Sequence, residues 1–288
     1  YTTTFGLQVE VIEPAVKGTL NVLKACVEAK VKRVVVVSSR GAVAFNPRWP
    51  VGQIKDEACW SDKEHCAATK NWYWLSKTEA ESEAFEFAKS SGIDVVTVCP
   101  SLILGPLLQP TINASGLALV RLLKGGFYFY HAYICFCTTP PRHLVASLSK
   151  KHDIFSCGIL FNPNSVRISC RCAEGYDTLE KKIRMIVEFK VRMIVDVRDV
   201  AEALLLVYEK AEAEGRYICM AHLTNPRDLV DKLRSIFPQY DYPKRFIEGG
   251  EEDILSSEKL QRLGWSYRPL EETLVDSIES YKKAGILD

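Results

Sequence analysis

No sign of charge dominates this sequence: 37 lysines and arginines against 36 aspartates and glutamates leave a formal net charge of +1 at pH 7. That balance removes the general electrostatic attraction on which binding to nucleic acid or an anionic membrane rests. Long apolar runs are missing too. The longest without a formal charge, residues 125–137, falls short of the roughly 20 residues that span a bilayer. No N-terminal stretch combines a basic start, an apolar core and a small-residue cleavage site, so no secretory leader is expected. The ten cysteines lack the dense, regular spacing of a secreted disulfide scaffold, which points to free thiols in a reducing compartment. Together these absences predict a soluble, cytoplasmic protein with neither nucleic acid nor membrane as partner.

What is present is enough apolar material, 47% of 288 residues, for one substantial core or a large domain with a smaller one. Arg33-Val34-Val35-Val36-Val37-Ser38-Ser39 reads as a strand buried on both faces, as in a parallel sheet covered by helices. Two serines end it before Gly41, and the carboxyl ends of strands are where open α/β sheets bind ligands. Ser38 is read as satisfying backbone groups at the turn, and Ser39 as the functional hydroxyl. Further on, Tyr73 and Lys77 stand four residues apart in Asn71-Trp72-Tyr73-Trp74-Leu75-Ser76-Lys77. On a helix they share a face. An ammonium beside a phenol favours the phenolate, drawing its pKa down from about 10, and such a tyrosine can pass a proton to a substrate oxygen. Alone, Tyr-x-x-x-Lys is more often an aromatic ring beside a solvated amine; the serine-tipped strand before it favours chemistry.

The other elements follow from apolar period and punctuation. Residues 10–29 predict an amphipathic helix with Pro14 in its first turn, where proline is tolerated. Residues 41–60 read as a loop, and 68–90 as the helix that carries Tyr73 and Lys77, ended by Gly92. Residues 93–99 read as a strand, followed by a loop over 100–110. Residues 191–197 predict another strand, and 199–212 a helix with Asp199 as its N-cap. Residues 215–219 predict a strand, and 224–288 two or three amphipathic helices.

Residues 31–39, Asp56-Glu57-Ala58-Cys59-Trp60-Ser61-Asp62, residues 71–77 and Cys99-Pro100-Ser101-Leu102-Ile103-Leu104-Gly105-Pro106-Leu107-Leu108-Gln109-Pro110 resemble plant cinnamoyl-CoA reductases. More broadly they resemble the extended short-chain dehydrogenase/reductases that include dihydroflavonol reductases. The resemblance covers residues 7–126 and 191–288. It implies an α/β fold: a partial Rossmann-type, doubly wound parallel sheet with a smaller C-terminal substrate-binding part. The implied division is 1–126 as a truncated dinucleotide-binding domain, 127–190 as an atypical insertion, 191–223 as a return to the sheet, and 224–288 as the substrate-binding part. The implied reaction is hydride transfer from NADPH to a carbonyl. Ser39 would hydrogen-bond the carbonyl oxygen, Tyr73 would supply the proton, and Lys77 would lower the Tyr73 pKa and hold the nicotinamide ribose. Pro100, Ser101, Leu102 and Ile103 would lie along the nicotinamide, and Ser115 would contact a cofactor phosphate. Partners would be a small phenylpropanoid substrate and coenzyme A.

The sequence departs from that family in three places. It opens at Tyr1, and nowhere in it does a strand precede Gly-x-x-Gly-x-x-Gly, the turn on which relatives bind the pyrophosphate at a helix N-terminus. The expectation is an N-terminally truncated relative whose raw sheet edge favours self-association, with a catalytically inactive chain as the alternative. A dihydroflavonol- or aldehyde-reductase-like activity is a second alternative. Where relatives read Asn-Trp-Tyr-Cys-Tyr-Gly-Lys, Trp74, Leu75 and Ser76 stand here, so Cys66 loses the cysteine with which the family's upstream cysteine can pair. Residues 127–190 interrupt the pattern with little period, and 127–182 reads as translated intervening sequence or a gene-model error rather than evolved protein. A zinc site built from Cys135, Cys137, Cys170 and Cys172 with His131, His143 or His152 is a weak alternative, because Cys-x-Cys is not the usual ligand spacing. No metal is expected.

Overall fold

The computed structural model describes residues 4–125, 186–189, 192–248 and 254–288. Two compact units divide the chain. The first comprises Tyr1–Ile103, Arg192–Leu223 and Glu251–Leu270; the second comprises Leu104–Val191, Thr224–Gly250 and Glu271–Asp288.

The first unit is a parallel sheet with helices on both faces. Its strands are β1 (Arg33–Val37), β2 (Asp94–Pro100) and, later in the chain, β6 (Gly215–Cys219), ordered β1-β2-β6. The registers run from Arg33 opposite Asp94 to Val37 opposite Val98, and from Val96 opposite Gly215 to Pro100 opposite Cys219. Alternation along the valine run sends side chains to opposite faces. Val34 and Val36 pack with Leu23 of α1 (Thr4–Glu28) and with Ala84, Phe85 and Ala88 of α3 (Trp72–Ser91). Val35 instead packs with Val96, Val98 and the inner face of α5 (Val197–Glu209), through Val200, Ala203 and Val207. Gly92 ends α3 in the left-handed conformation (φ 75°), as the glycine at that place predicts.

Three local expectations are corrected. β1 is packed on both faces but only half-buried, and Val37 is 48% exposed, because no described strand pairs with its outer edge. Helix α1 begins before residue 10, so Pro14 sits in its interior rather than its first turn. The N-cap of α5 is Asp196, which accepts from the Arg198 amide at 2.8 Å. Asp199 lies within the first turn, buried and bonded to Arg268, whose amide donates to it at 3.0 Å.

A short helix, α2 (Lys63–Ala68), precedes α3, and β3 (Leu102–Leu104), β5 (Arg192–Asp196) and β7 (His222–Thr224) form a second three-stranded sheet ordered β3-β5-β7. The second unit holds α4 (Ala114–Leu123), α6 (Pro226–Ile236) and most of α8 (Leu270–Lys283). It also holds a parallel pair, β4 (Ile186–Phe189) with β8 (Arg245–Glu248). Hydroxyls of α8 hold the loop before α4: Gly105 donates its amide to Ser277 Oγ at 2.7 Å, and Leu107 to Ser280 Oγ at 2.9 Å. A Cβ at Gly116 would meet the Tyr281 hydroxyl at 2.8 Å, so this close approach requires glycine. The expected interruption lies largely outside the described residues; of it, Ile186–Phe189 forms β4. A helix α7 (Glu258–Arg262) completes the first unit.

Candidate active site

The tip of β1 is built as a cap. Beyond Val37, Ser38 donates its amide to the Val98 carbonyl at 2.8 Å, carrying the parallel pairing one residue further. Ser39 stays extended (φ −161°, ψ 153°) and caps a 3₁₀ turn, Arg40–Ala42, accepting at Oγ from the Gly41 amide at 3.1 Å. A capping hydroxyl uses a lone pair and keeps its proton to donate, so the cap fixes Ser39 without spending its O–H. The two serines therefore divide their work differently from expectation. Ser38, read as a backbone satisfier, gives its hydroxyl to the Glu81 carboxylate at 2.7 Å, and Ser39 does the local capping.

Helix α3 presents Tyr73 in its first turn and Lys77 one turn later; Tyr73 is 41% exposed and Lys77 half-buried. Among the described residues, neither the Tyr73 hydroxyl nor the Lys77 amine is engaged by another protein group. The start of α3 is fixed by what precedes it. Asp62 caps α2, accepting from the His65 amide at 2.9 Å, and also accepts from Arg48 Nε at 2.6 Å. Those bonds, the His65 amide first, hold the Asp62 carboxyl below the ordinary carboxylate range. Strand tip and helix start meet at Gly41: a Cβ there would lie 3.4 Å from Ser39 Oγ and 3.5 Å from the Trp74 ring. Ser39 and the residue next to Tyr73 thus flank one glycine.

Pro100 closes β2 opposite Cys219, and the Ser101 amide donates to the Cys219 carbonyl at 3.0 Å. Ser101 is buried, and its Oγ has no hydrogen-bond partner among the described residues. A buried hydroxyl in that state calls for an explanation, and a bound polar group is one. Leu102 and Ile103 are half-buried in β3. Ser39, Pro100 and Ser101 share the carboxyl end of adjacent strands. Ser115, in the first turn of α4, belongs to the second unit.

Glu81 and Arg216 were missed by sequence reasoning. Glu81 is 1% exposed and Arg216 6%, and they pair at 2.9 Å beneath the strand tip. Two signals were available. Glu81 continues the four-residue spacing of Tyr73 and Lys77, and Arg216 is the one charge in a strand otherwise uncharged. Cys66 is a free, buried thiol packed with Trp72 and Leu75, with Trp74 against the same cluster. Burial, reinforced by Asp62, pushes that thiol up to about 11. Burial likewise pushes up the Cys99 and Cys219 thiols. The cysteines and histidines weighed as zinc ligands lie outside the described residues. Among the described residues no group of three His, Cys, Asp or Glu could hold a metal ion, and no helix is long and apolar enough to cross a membrane.

The pattern of the NAD dependent epimerase/dehydratase family matches residues 2–123. Cinnamoyl-CoA reductase 2 of Medicago truncatula is 34% identical over 282 residues, which are 96% of this chain and 67% of that protein. Vestitone reductase from alfalfa superposes with a TM-score of 0.69 at 26% identity, covering 96% of this chain and 73% of the other. Gre2 from Candida albicans, solved in complex with NADPH, has a TM-score of 0.64 at 22% identity over 96% of this chain and 72% of its own.

Proposed function

Because the chain belongs to the cinnamoyl-CoA reductase-like branch of the extended short-chain dehydrogenase/reductases, we propose that it reduces a hydroxycinnamoyl-CoA thioester, or a related phenylpropanoid carbonyl, to the aldehyde. NADPH supplies the hydride when bound; a proton enters, and the aldehyde and the coenzyme A thiol leave. The Ser39 hydroxyl donates to the carbonyl oxygen and stabilises the negative charge that grows there. Tyr73 gives that oxygen its proton. Lys77, one turn along the same face, binds the nicotinamide ribose. Pro100, Ser101, Leu102 and Ile103 line the nicotinamide, and Ser115 takes a phosphate oxygen.

The observation that carries this reading is the meeting of strand tip and helix start at Gly41, where Ser39 and Trp74 flank one glycine. The residues present also suit the nicotinamide end of a dinucleotide. Among the described residues Ser101 Oγ is buried without a hydrogen-bond partner, and Tyr73 stands exposed. A second reading is a relative that binds no dinucleotide and does not turn over. Calorimetry with NADPH separates the two. Micromolar binding, with feruloyl-CoA reduced at the expense of NADPH, supports the enzyme; no binding and no turnover support the inactive relative.

The reading extends to partners. The substrate and coenzyme A are the small molecules expected, with neither nucleic acid nor membrane, and the site works in the cytoplasm. The open edge of β1, with exposed Val31, Val37, Leu205 and Tyr208 along it, is the surface through which the chain associates with itself.

A further inference from the structure

Glu81 is charged, buried and unused by the reaction proposed above. It follows Tyr73 and Lys77 at the same four-residue spacing, so it shares their helix face two turns below the phenol. Its Oε2 accepts from Ser38 Oγ at 2.7 Å, and its Oε1 from Thr97 Oγ1 at 2.5 Å and Arg216 Nε at 2.9 Å. Arg216 then spreads its fork over three backbone carbonyls: Nη1 donates to Cys59 at 2.7 Å and Glu57 at 3.1 Å, and Nη2 to Ala42 at 3.1 Å. The guanidinium lies 3.6 Å from the centroid of the Trp60 ring, which fixes its plane. The catalytic helix is thereby tied to both sides of Ser39. Glu81 grips the residue before it directly, and through Arg216 it grips the last residue of the turn that Ser39 caps.

A buried ion pair adds little net stability over apolar packing, so its worth lies in the geometry it imposes. We propose that Glu81 and Arg216 are positioning residues, which hold the Ser39 hydroxyl in register with Tyr73. This rests on the reading of Ser39 and Tyr73 given above. Neither residue touches the reacting atoms; each acts through the strand tip and its turn. A carboxylate alone meets the need on α3, because it accepts from a hydroxyl of each of two strands and a guanidinium at once. Arginine alone meets it on β6, because lysine has no planar fork to reach three carbonyls.

Hydrogen exchange followed by mass spectrometry, run beside steady-state kinetics, tests this on the full chain with Glu81→Gln, Arg216→Lys and Ser38→Ala. In Glu81→Gln and Arg216→Lys, amides of residues 38–62 should exchange about tenfold faster while those of 226–236 keep their wild-type rates. The kcat should fall by about 10²-fold, the scale of a misplacement of one ångström, with KM within about twofold of wild type. Ser38→Ala, which cuts one tie and leaves the ion pair, should show the same pattern more weakly and guards against a Glu81 variant that fails to fold. Faster exchange spread evenly over the whole first unit, or an unchanged kcat beside local loosening, would overturn the proposal. A wild-type chain without turnover defeats the reductase reading instead, and the exchange pattern then decides positioning by itself.

Discussion

At the carboxyl tip of β1, Ser38, Glu81, Thr97 and Arg216 satisfy one another in the interior, whereas along the outer edge of the same strand valines stand half-open to solvent. The edge is bordered by a shallow cavity of about 440 Å³ lined by Cys26 and Val31 on one side, Val34 and Val35 in the middle, and Leu204, Leu205 and Tyr208 on the other. Polar groups at the tip must be paired within the chain, because an orphaned buried charge is costly. Apolar groups at the edge carry no such demand and can wait for a partner surface. The tip is thus fixed by this chain's own residues, and the edge is not. The proposed chemistry belongs to the first region and the proposed association to the second.

Substitutions at the tip should be severe, and the largest effect expected is on rate. Tyr73→Phe removes the proton donor and should lower kcat by roughly 10²–10⁴-fold, leaving the melting temperature unchanged because the ring is 41% exposed. Arg216→Met comes next and strikes stability: it leaves the Glu81 carboxylate buried without its partner, at a cost of about 3–5 kcal/mol, read from denaturant unfolding. If that variant proves as stable as wild type, the tip is not the self-sufficient region described here.

Edge substitutions should be mild and act on association. Leu205→Lys places a charge on the open apolar surface and should change unfolding free energy by no more than about 0.5 kcal/mol. Sedimentation should shift towards the monomer. An unchanged sedimentation profile would remove the edge from the association surface. The smallest effect expected is with pH. The Asp62 carboxyl is held below its ordinary value of 3.8 by the His65 amide and Arg48. Its contribution is therefore present above that value and is lost as the pH falls through the depressed one. Asp62→Asn should flatten that acid limb of the melting-temperature profile by lowering the plateau above pH 5, where the carboxylate contributes fully.

Much of the first unit was legible in the sequence because local signals agreed with one another. The valine run gave β1, Gly92 gave the end of α3, and the spacing of Tyr73 and Lys77 gave a shared helical face. What escaped depends on residues far apart in the chain. Glu81 and Arg216 are separated by 135 positions, and nothing local in the chain says that they pair. The exposure of β1 could not be read from its composition, since four valines look the same whether a neighbouring strand covers one edge or two. Likewise Ser38 and Ser39 are chemically equivalent in sequence. Only the pleat, turning one towards Glu81 and the other into the 3₁₀ turn, separates their roles. Asp196 took the cap foreseen for Asp199 because the helix began three residues earlier, and Asp199 was then free to bind Arg268.

Kinetics of NADPH-dependent thioester reduction for Ser39→Ala, Tyr73→Phe and the double variant reach the central claim most directly. If the strand-tip hydroxyl and the phenol act on one carbonyl oxygen, the double variant should be hardly slower than the worse single variant, because groups that act as a unit are not additive. Losses that multiply, as for two independent sites, would contradict the convergence on which the proposed reaction depends.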